Sequence, residues 1–293
     1  VRTQIEKLAA HEKIGQKRYN CLFTIRINHL KAMLLAVWSY RYFILSSIMT
    51  EFRTRFARSR LGGVWMVLHP LAQVSIYAVA LSAVLAAKLP GVSGPYAYAL
   101  YLMAGMAGWS LFSEVMSRSL NVFVDNGNLL KKISFPKLTL PLIVVGSAVI
   151  SNLLLLGAVF VVFALLGQMP GIAVVWIPLL MIITLSVAVG LGIILGVLNV
   201  FMRDVAQIVP VMLQFWFWLT PVVYTVQMIP ERYLPWLMLN PMSGVVMGYQ
   251  NVLVTQISPD MGSLLYPAAF GAVSLIVALI MYRGANSEMA DVL

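Results

Sequence analysis

The side chains able to do covalent chemistry are sparse and far apart. His11, His29 and His69 are scattered, Cys21 is the sole cysteine, and neither His-Glu-x-x-His nor Cys-x-x-Cys occurs, so no metal-ligand spacing is present. Acid–base chemistry needs positioned titratable groups. Glu114, Asp125 and Asp204 each have a basic residue close in sequence, and ion pairing accounts for them more simply than catalysis. A membrane transferase acting on a polyprenyl-linked sugar would need convergent carboxylates or histidines at one face, and this pattern disfavours it. A phosphate-cradling G-x-x-x-x-G-K-[ST] loop is also absent, so ATP hydrolysis must belong to a separate polypeptide. Gly190, Gly192 and Gly196, in GLGIILG, miss the dinucleotide fingerprint by one residue and lie inside an apolar helix with no strand before it. Gly192–Gly196 and Ala104–Gly108 are small-xxx-small pairs suited to close helix packing.

The chemistry that does concentrate is aromatic. Phe215, Trp216, Phe217, Trp218 and Tyr224 crowd one apolar stretch, and Trp109 and Phe112 another. Trp65 and Trp236 suit an interfacial belt, but residues 215–218 fall mid-stretch, where a belt explains less. Their apolar faces could stack on sugar rings in a conduit, or simply pack. Both readings are open on these residues.

The solvent around these rings must be lipid. Apolar residues make up 61% of 293 and charged ones only 10%, against about 25% in a soluble domain. Stretches long enough to cross a bilayer run over Leu61–Ala87, Leu89–Ser113, Leu138–Leu166, Ile172–Met202, Val205–Pro230 and Met261–Tyr282, with Gly167 to Gly171 turning the third into the fourth. The first thirty residues are polar and basic, unlike a secretory signal, so internal segments direct insertion. Of twenty Lys and Arg, eighteen fall at the two ends and in the second and fourth loops, and only Lys88 and Arg232 opposite; the positive-inside bias puts both termini in the cytoplasm. Twelve of them precede Gly63, a juxtamembrane cluster that suits anionic lipid headgroups rather than nucleic acid.

Two segments do not cross. Placing Arg41 at mid-bilayer would cost about 2.5–3.5 kcal/mol, whereas a surface helix puts Leu45, Ile48, Met49, Phe52 and Phe56 on one face and Arg53, Arg55 and Arg58 at headgroup level. Between Pro221 and Gly262 stand only Glu231, Arg232 and Asp260, with short apolar pieces broken by prolines, which predicts re-entrant gate helices. The spans hold almost no ionisable groups, which argues against ion coupling and sends the energy input through a cytoplasmic surface. The loop from Arg118 to Lys137 is the candidate. Leu129 and Leu130 beside Lys131 and Lys132 suit a groove on a partner, although an ordinary basic loop at the headgroups would read alike.

Several stretches in order, SRLGGVWMVLHPL at Ser59–Leu71, GWSLFSEVMSRSLN at Gly108–Asn121, NGNLLKKISFPKLTLPL at Asn126–Leu142, LNVFMRDVAQIVPVMLQFWFWLTPVVY at Leu198–Tyr224 and LNPM at Leu239–Met242, resemble the membrane subunits of ABC transporters that export O-antigen, capsular polysaccharide or teichoic acid. The resemblance covers roughly residues 40–283. It implies an all-α integral membrane fold of six transmembrane helices, with an N-terminal amphipathic interface helix, a cytoplasmic coupling helix and re-entrant outer gate helices. By residue, 1–63 would hold the interface helix, 64–283 the transmembrane domain, with coupling loop 118–137 and outer gate 221–262, and 284–293 a cytoplasmic tail.

It further implies a homodimer in the bacterial inner membrane, paired with two copies of a separate subunit that binds ATP and Mg, and no cofactor on this chain. Trp109, Phe112, Phe215, Trp216, Trp218 and Tyr224 would line the path of a lipid-linked polysaccharide. Arg53, Arg55, Arg58 and Arg60 would meet the lipid diphosphate, which guanidinium pairs bidentately. Residues 129–132 would take the push from the ATPase. Export of a drug or another lipid by the same architecture is the nearest rival.

Overall fold

The computed structural model describes residues 39–56, 96–127, 139–285 and 288–292, with a few positions between 64 and 76. Every regular element there is helical: α1 Arg41–Phe56, α2 Ala97–Asp125, α3 Thr139–Leu165, α4 Ile177–Phe201 entered through a 3-10 turn at Ile172–Trp176, α5 Val205–Leu219, α6 Leu234–Met238, α7 Pro241–Gln250 running into a π turn at Asn251–Thr255, α8 Met261–Ala285 and α9 Met289–Val292. Three stretches, Thr139–Leu165, Ile172–Phe201 and Met261–Ala285, are long and apolar enough to cross a membrane.

The turn between α3 and α4 lies where its glycines and proline put it. Gly167 has φ +71, a left-handed conformation that ends α3 without a Cβ clash. The second predicted stretch stops at Ser113 because Glu114 interrupts its apolar run, yet α2 continues to Asp125. Glu114 and Arg118 are one turn apart and paired at 3.5 Å, so the helix carries both charges past that point. The connecting loop therefore begins after Asp125, not at Arg118. In the fifth stretch the helix ends at Leu219, just before Pro221 where the gate region was expected to begin, and does not fill the charge-free run to Pro230. Pro221 disfavours helical backbone at the residue before it, and Thr220 is extended at φ −101, ψ 137. Most of the first predicted span, and residues 1–38, lie outside the described residues.

Helix α2 is the centre, packed against α3, α4, α5 and α7, while α4 also packs on α8. Small residues permit this closeness. A Cβ on Gly196 would come 2.6 Å from the Ser119 carbonyl oxygen, and one on Gly108 2.7 Å from the Tyr249 ring. Gly190 packs against Ser274 of α8, so one GLGIILG segment serves two interfaces.

Candidate functional site

Four consecutive aromatics on a helix spread over all its faces, because each step turns about 100°. Phe217 faces inward, its ring 5.6 Å from that of Trp109, and Trp216 meets Phe112 edge-on at 5.1 Å. Trp109 and Phe112 themselves lie 5.3 Å apart. Both are buried, 6% and 0% exposed, so within this chain they fasten α5 to α2 and present no open surface. Phe215 and Trp218 point away from the bundle, 69% and 50% exposed.

Beside this cluster is a cavity of about 570 Å³ between α5 and the chain that follows it. Its walls are Phe215, Trp216 and Leu219 on one side and Tyr224, Tyr233 and Trp236 on the other. Of the six residues expected along a substrate path, Phe215, Trp216 and Tyr224 line it. Trp109 and Phe112 back it through ring contacts, and Trp218 is outside its lining. Tyr233 and Trp236 were missed: a tryptophan near a membrane surface suits an aromatic belt, and only the fold of the 220–240 segment turns these rings toward α5.

Asn240 was also missed, and it organises the rim. Its Oδ1 accepts from Trp216 Nε1 at 2.8 Å and from the Met242 backbone N–H at 3.0 Å. Its Nδ2 donates to Thr220 Oγ1 at 2.9 Å and the Leu219 carbonyl at 3.3 Å. An asparagine followed by proline is a helix-start signal, cap then N1, and α7 does begin there. The four LNPM residues contain that signal; its second use, holding an indole twenty-four residues away, is tertiary.

Between α5 and the 3-10 turn at Val226–Met228, residues 220–225 form no regular helix, and their backbone needs partners from elsewhere. Tyr98 donates to the Val223 carbonyl at 2.7 Å, Tyr101 to that of Tyr224 at 3.1 Å, and Gln250 to that of Pro221 at 2.9 Å. Three side chains from α2 and α7 thus pin one irregular strand of chain. Helix α7 itself is buried along nearly its whole length, with Met242, Val245, Val246 and Tyr249 at 0% exposure.

Arg118 lies about 30 Å along α2 from Tyr98, at 1.5 Å per residue. Its guanidinium pairs with Glu51 of α1 and donates to Ser147 Oγ of α3 at 2.7 Å, while Ser147 donates to the second Glu51 oxygen at 3.2 Å. Ile48 is buried against Gly146, which fixes α1 on α3. The apolar face expected there divides: Ile48 meets protein, whereas Leu45 and Met49 are exposed. Arg53 and Arg55 belong to α1 by backbone, and their side chains lie outside the described residues, as do Arg58, Arg60, Leu129, Leu130, Lys131 and Lys132. Among the described residues no three His, Cys, Asp or Glu side chains gather as a metal site would require.

Residues 42–254 match the protein family described as ABC-2 type transporter. The chain is similar to the O-antigen export system permease protein RfbA of Myxococcus xanthus, 29% identical over 257 residues that cover 87% of this chain and 96% of that protein. It is also similar to an O-antigen export system permease protein RfbA of Klebsiella pneumoniae, at 26% over 83% of this chain and 92% of the relative. The polysialic acid transport protein KpsM of Escherichia coli is 26% identical over 82% of this chain and 92% of its own length.

Proposed function

Because the chain belongs to the ABC-2 type transporter family, a family of transporter membrane subunits and not of enzymes, we propose that it is the permease of an ATP-driven exporter that moves a lipid-linked polysaccharide across the bacterial inner membrane. The relatives named for O-antigen export and polysialic acid transport support the substrate class. The observation that carries the reading is the cavity walled by Phe215, Trp216, Tyr224, Tyr233 and Trp236. It offers flat apolar faces and little charge, as a passage for neutral sugar rings requires.

In this proposal six spans, with both termini cytoplasmic, pair with a second copy of the chain and two ATP-binding subunits that hold ATP and Mg. Helix α1 lies at the cytoplasmic interface, where Arg53, Arg55, Arg58 and Arg60 meet the lipid diphosphate. Helices α6 and α7 with the turns before them form the outer gate, and Leu129 to Lys132 receive the ATPase. Closure of the ATPase pushes that loop and spreads the spans.

The test is surface polysaccharide in cells whose only copy carries Trp216→Ala and Trp236→Ala. Export falls about tenfold, as two lost ring contacts worth roughly 0.5–1.5 kcal/mol each allow, while the permease still co-purifies with its ATPase. Unchanged flux would remove the aromatic path from the proposal.

A further inference from the structure

A second cleft, of about 500 Å³, opens between α1, the last two turns of α2 and the start of α3. It is within the size range of small-ligand clefts, roughly 300–1,000 Å³. Its chemistry differs from that of the aromatic cavity. Phe43, 44% exposed, forms one wall; Ser47, Ser117, Asn121, Asp125 and Asn126 supply polar atoms; and Val122, Leu140 and Val144 close the base.

The charges in the cleft narrow what it can hold. Arg118 is occupied by Glu51 and Ser147, with Glu114 at 3.5 Å, so an incoming anion would find its positive charge already answered and Asp125 facing it. A cation would meet one uncommitted carboxylate, at an exposed rim, which is a weak site. What remains is a set of uncommitted donors and acceptors. Ser47, Ser117 and Asp125 have no side-chain hydrogen-bond partner among the described residues. The Asn121 amide uses its oxygen on Asn199, leaving its N–H groups, and Asn126 uses its nitrogen on the Val122 carbonyl, leaving its oxygen. Hydroxyls, an amide donor, an amide acceptor and a carboxylate around one aromatic wall fit a polyol, whose adjacent hydroxyls each donate and accept while its C–H face lies on the ring.

We infer that this cleft is a neutral-sugar subsite, engaging a sugar residue of the substrate at the end of the bundle away from the aromatic cavity. The inference rests on the exporter reading for its substrate and for the cytoplasmic placement of α1. Residue by residue, Asp125 and Asn126 accept from sugar hydroxyls, Asn121 donates, Ser47 and Ser117 do either, and Phe43 carries the ring. The Arg118–Glu51 pair fixes the distance between the two walls.

The experiment uses the full chain in lipid nanodiscs, labelled by a diazirine-bearing alkyl glucoside below its micellar concentration, with cross-linked peptides mapped by mass spectrometry. Labelling of the 41–56 and 97–126 peptides is expected to saturate and to be competed by unlabelled alkyl glucoside, not by alkyl phosphate of the same chain length. Asp125→Ala with Ser117→Ala should weaken half-saturation about tenfold, as two lost hydrogen bonds do, and leave labelling near Trp216 unchanged. Equal competition by alkyl phosphate would make the cleft an anion site and overturn the inference, as would unsaturable labelling or indifference to both substitutions. The exporter reading fails separately: undiminished surface polysaccharide in cells lacking this chain would sink it and leave this competition as it stands.

Discussion

Asn240 makes four hydrogen bonds at 2.8, 3.0, 2.9 and 3.3 Å to Trp216, Met242, Thr220 and Leu219, and so joins the end of α5 to the start of α7. Truncating it leaves an indole N–H and a helix start without partners. Asn240→Ala should cost about 2–4 kcal/mol, one cap plus one or two unsatisfied groups, read as a lower melting temperature in detergent. Trp216→Phe removes the N–H together with part of the ring, and a double-mutant cycle with Asn240→Ala, which cancels the lost ring area, should give a coupling of roughly 0.5–3 kcal/mol. Strict additivity would show that the 2.8 Å contact contributes nothing. At this scale the sequence was legible in part. Phe215, Trp216 and Tyr224 could be picked out by their crowding, because apolar rings inside a span are conspicuous. Trp236 and Asn240 could not, since a lone tryptophan or asparagine has many ordinary roles and only tertiary placement distinguishes theirs. Burial of Trp109 and Phe112 behind α5 was likewise beyond composition, which registers a ring and not the direction it faces.

Among the elements, α3, α4 and α8 follow their apolar runs closely because nothing in the runs competes with a helix in lipid. Two helix ends depart from the limits of their charge-free runs, and each has a local cause. Glu114 ends an apolar count but not a helix, as its partner Arg118 is one turn away; Pro221 ends a helix inside an apolar count. The price of stopping α5 early is a set of carbonyls that α5 no longer serves, and Tyr98, Tyr101 and Gln250 answer three of them. Replacing Tyr101 by Phe should therefore cost about 1–3 kcal/mol, the penalty for a buried acceptor left alone, and Tyr101→Phe with Gln250→Leu should loosen residues 220–225. Faster hydrogen–deuterium exchange at Val222 to Tyr224, with α3 unchanged, is the expected signature; uniform exchange across the chain would contradict it. Helix packing makes a sharper demand at Gly196. A Cβ there would come 2.6 Å from the Ser119 carbonyl oxygen, part of the backbone and unable to rotate away. Gly196→Leu should separate α2 from α4 and abolish a monodisperse peak on size exclusion, whereas Gly157→Ala, with nothing within 4 Å, should elute as wild type.

For the whole molecule, the proposed exporter must carry work from one end to the other. The described spans bury aromatic and aliphatic side chains, and Glu51, Glu114 and Arg118 pair at one end of α2. In the proposed exporter the input is a mechanical push, and α2 is the element placed to transmit it. The helix is continuous from Ala97 to Asp125, packs on α3, α4, α5 and α7, and has Tyr98 and Tyr101 holding the carbonyls of Val223 and Tyr224 at its far end. Twenty-nine residues at 1.5 Å each make a lever of about 43 Å. If the loop after Asp125 receives the ATPase, displacement there reaches residues 220–225 through one rigid body. Leu130→Glu should then block export and release the ATPase on co-purification, because a charge in an apolar groove is left unpaired. Breaking the far end, with Tyr98→Phe and Tyr101→Phe, should block export while the ATPase remains bound and active. Two variants at opposite ends of α2 with the same export defect and opposite ATPase behaviour would identify the helix as the transmission. Loss of ATPase binding in the tyrosine variant would instead mean that its outer contacts support assembly alone.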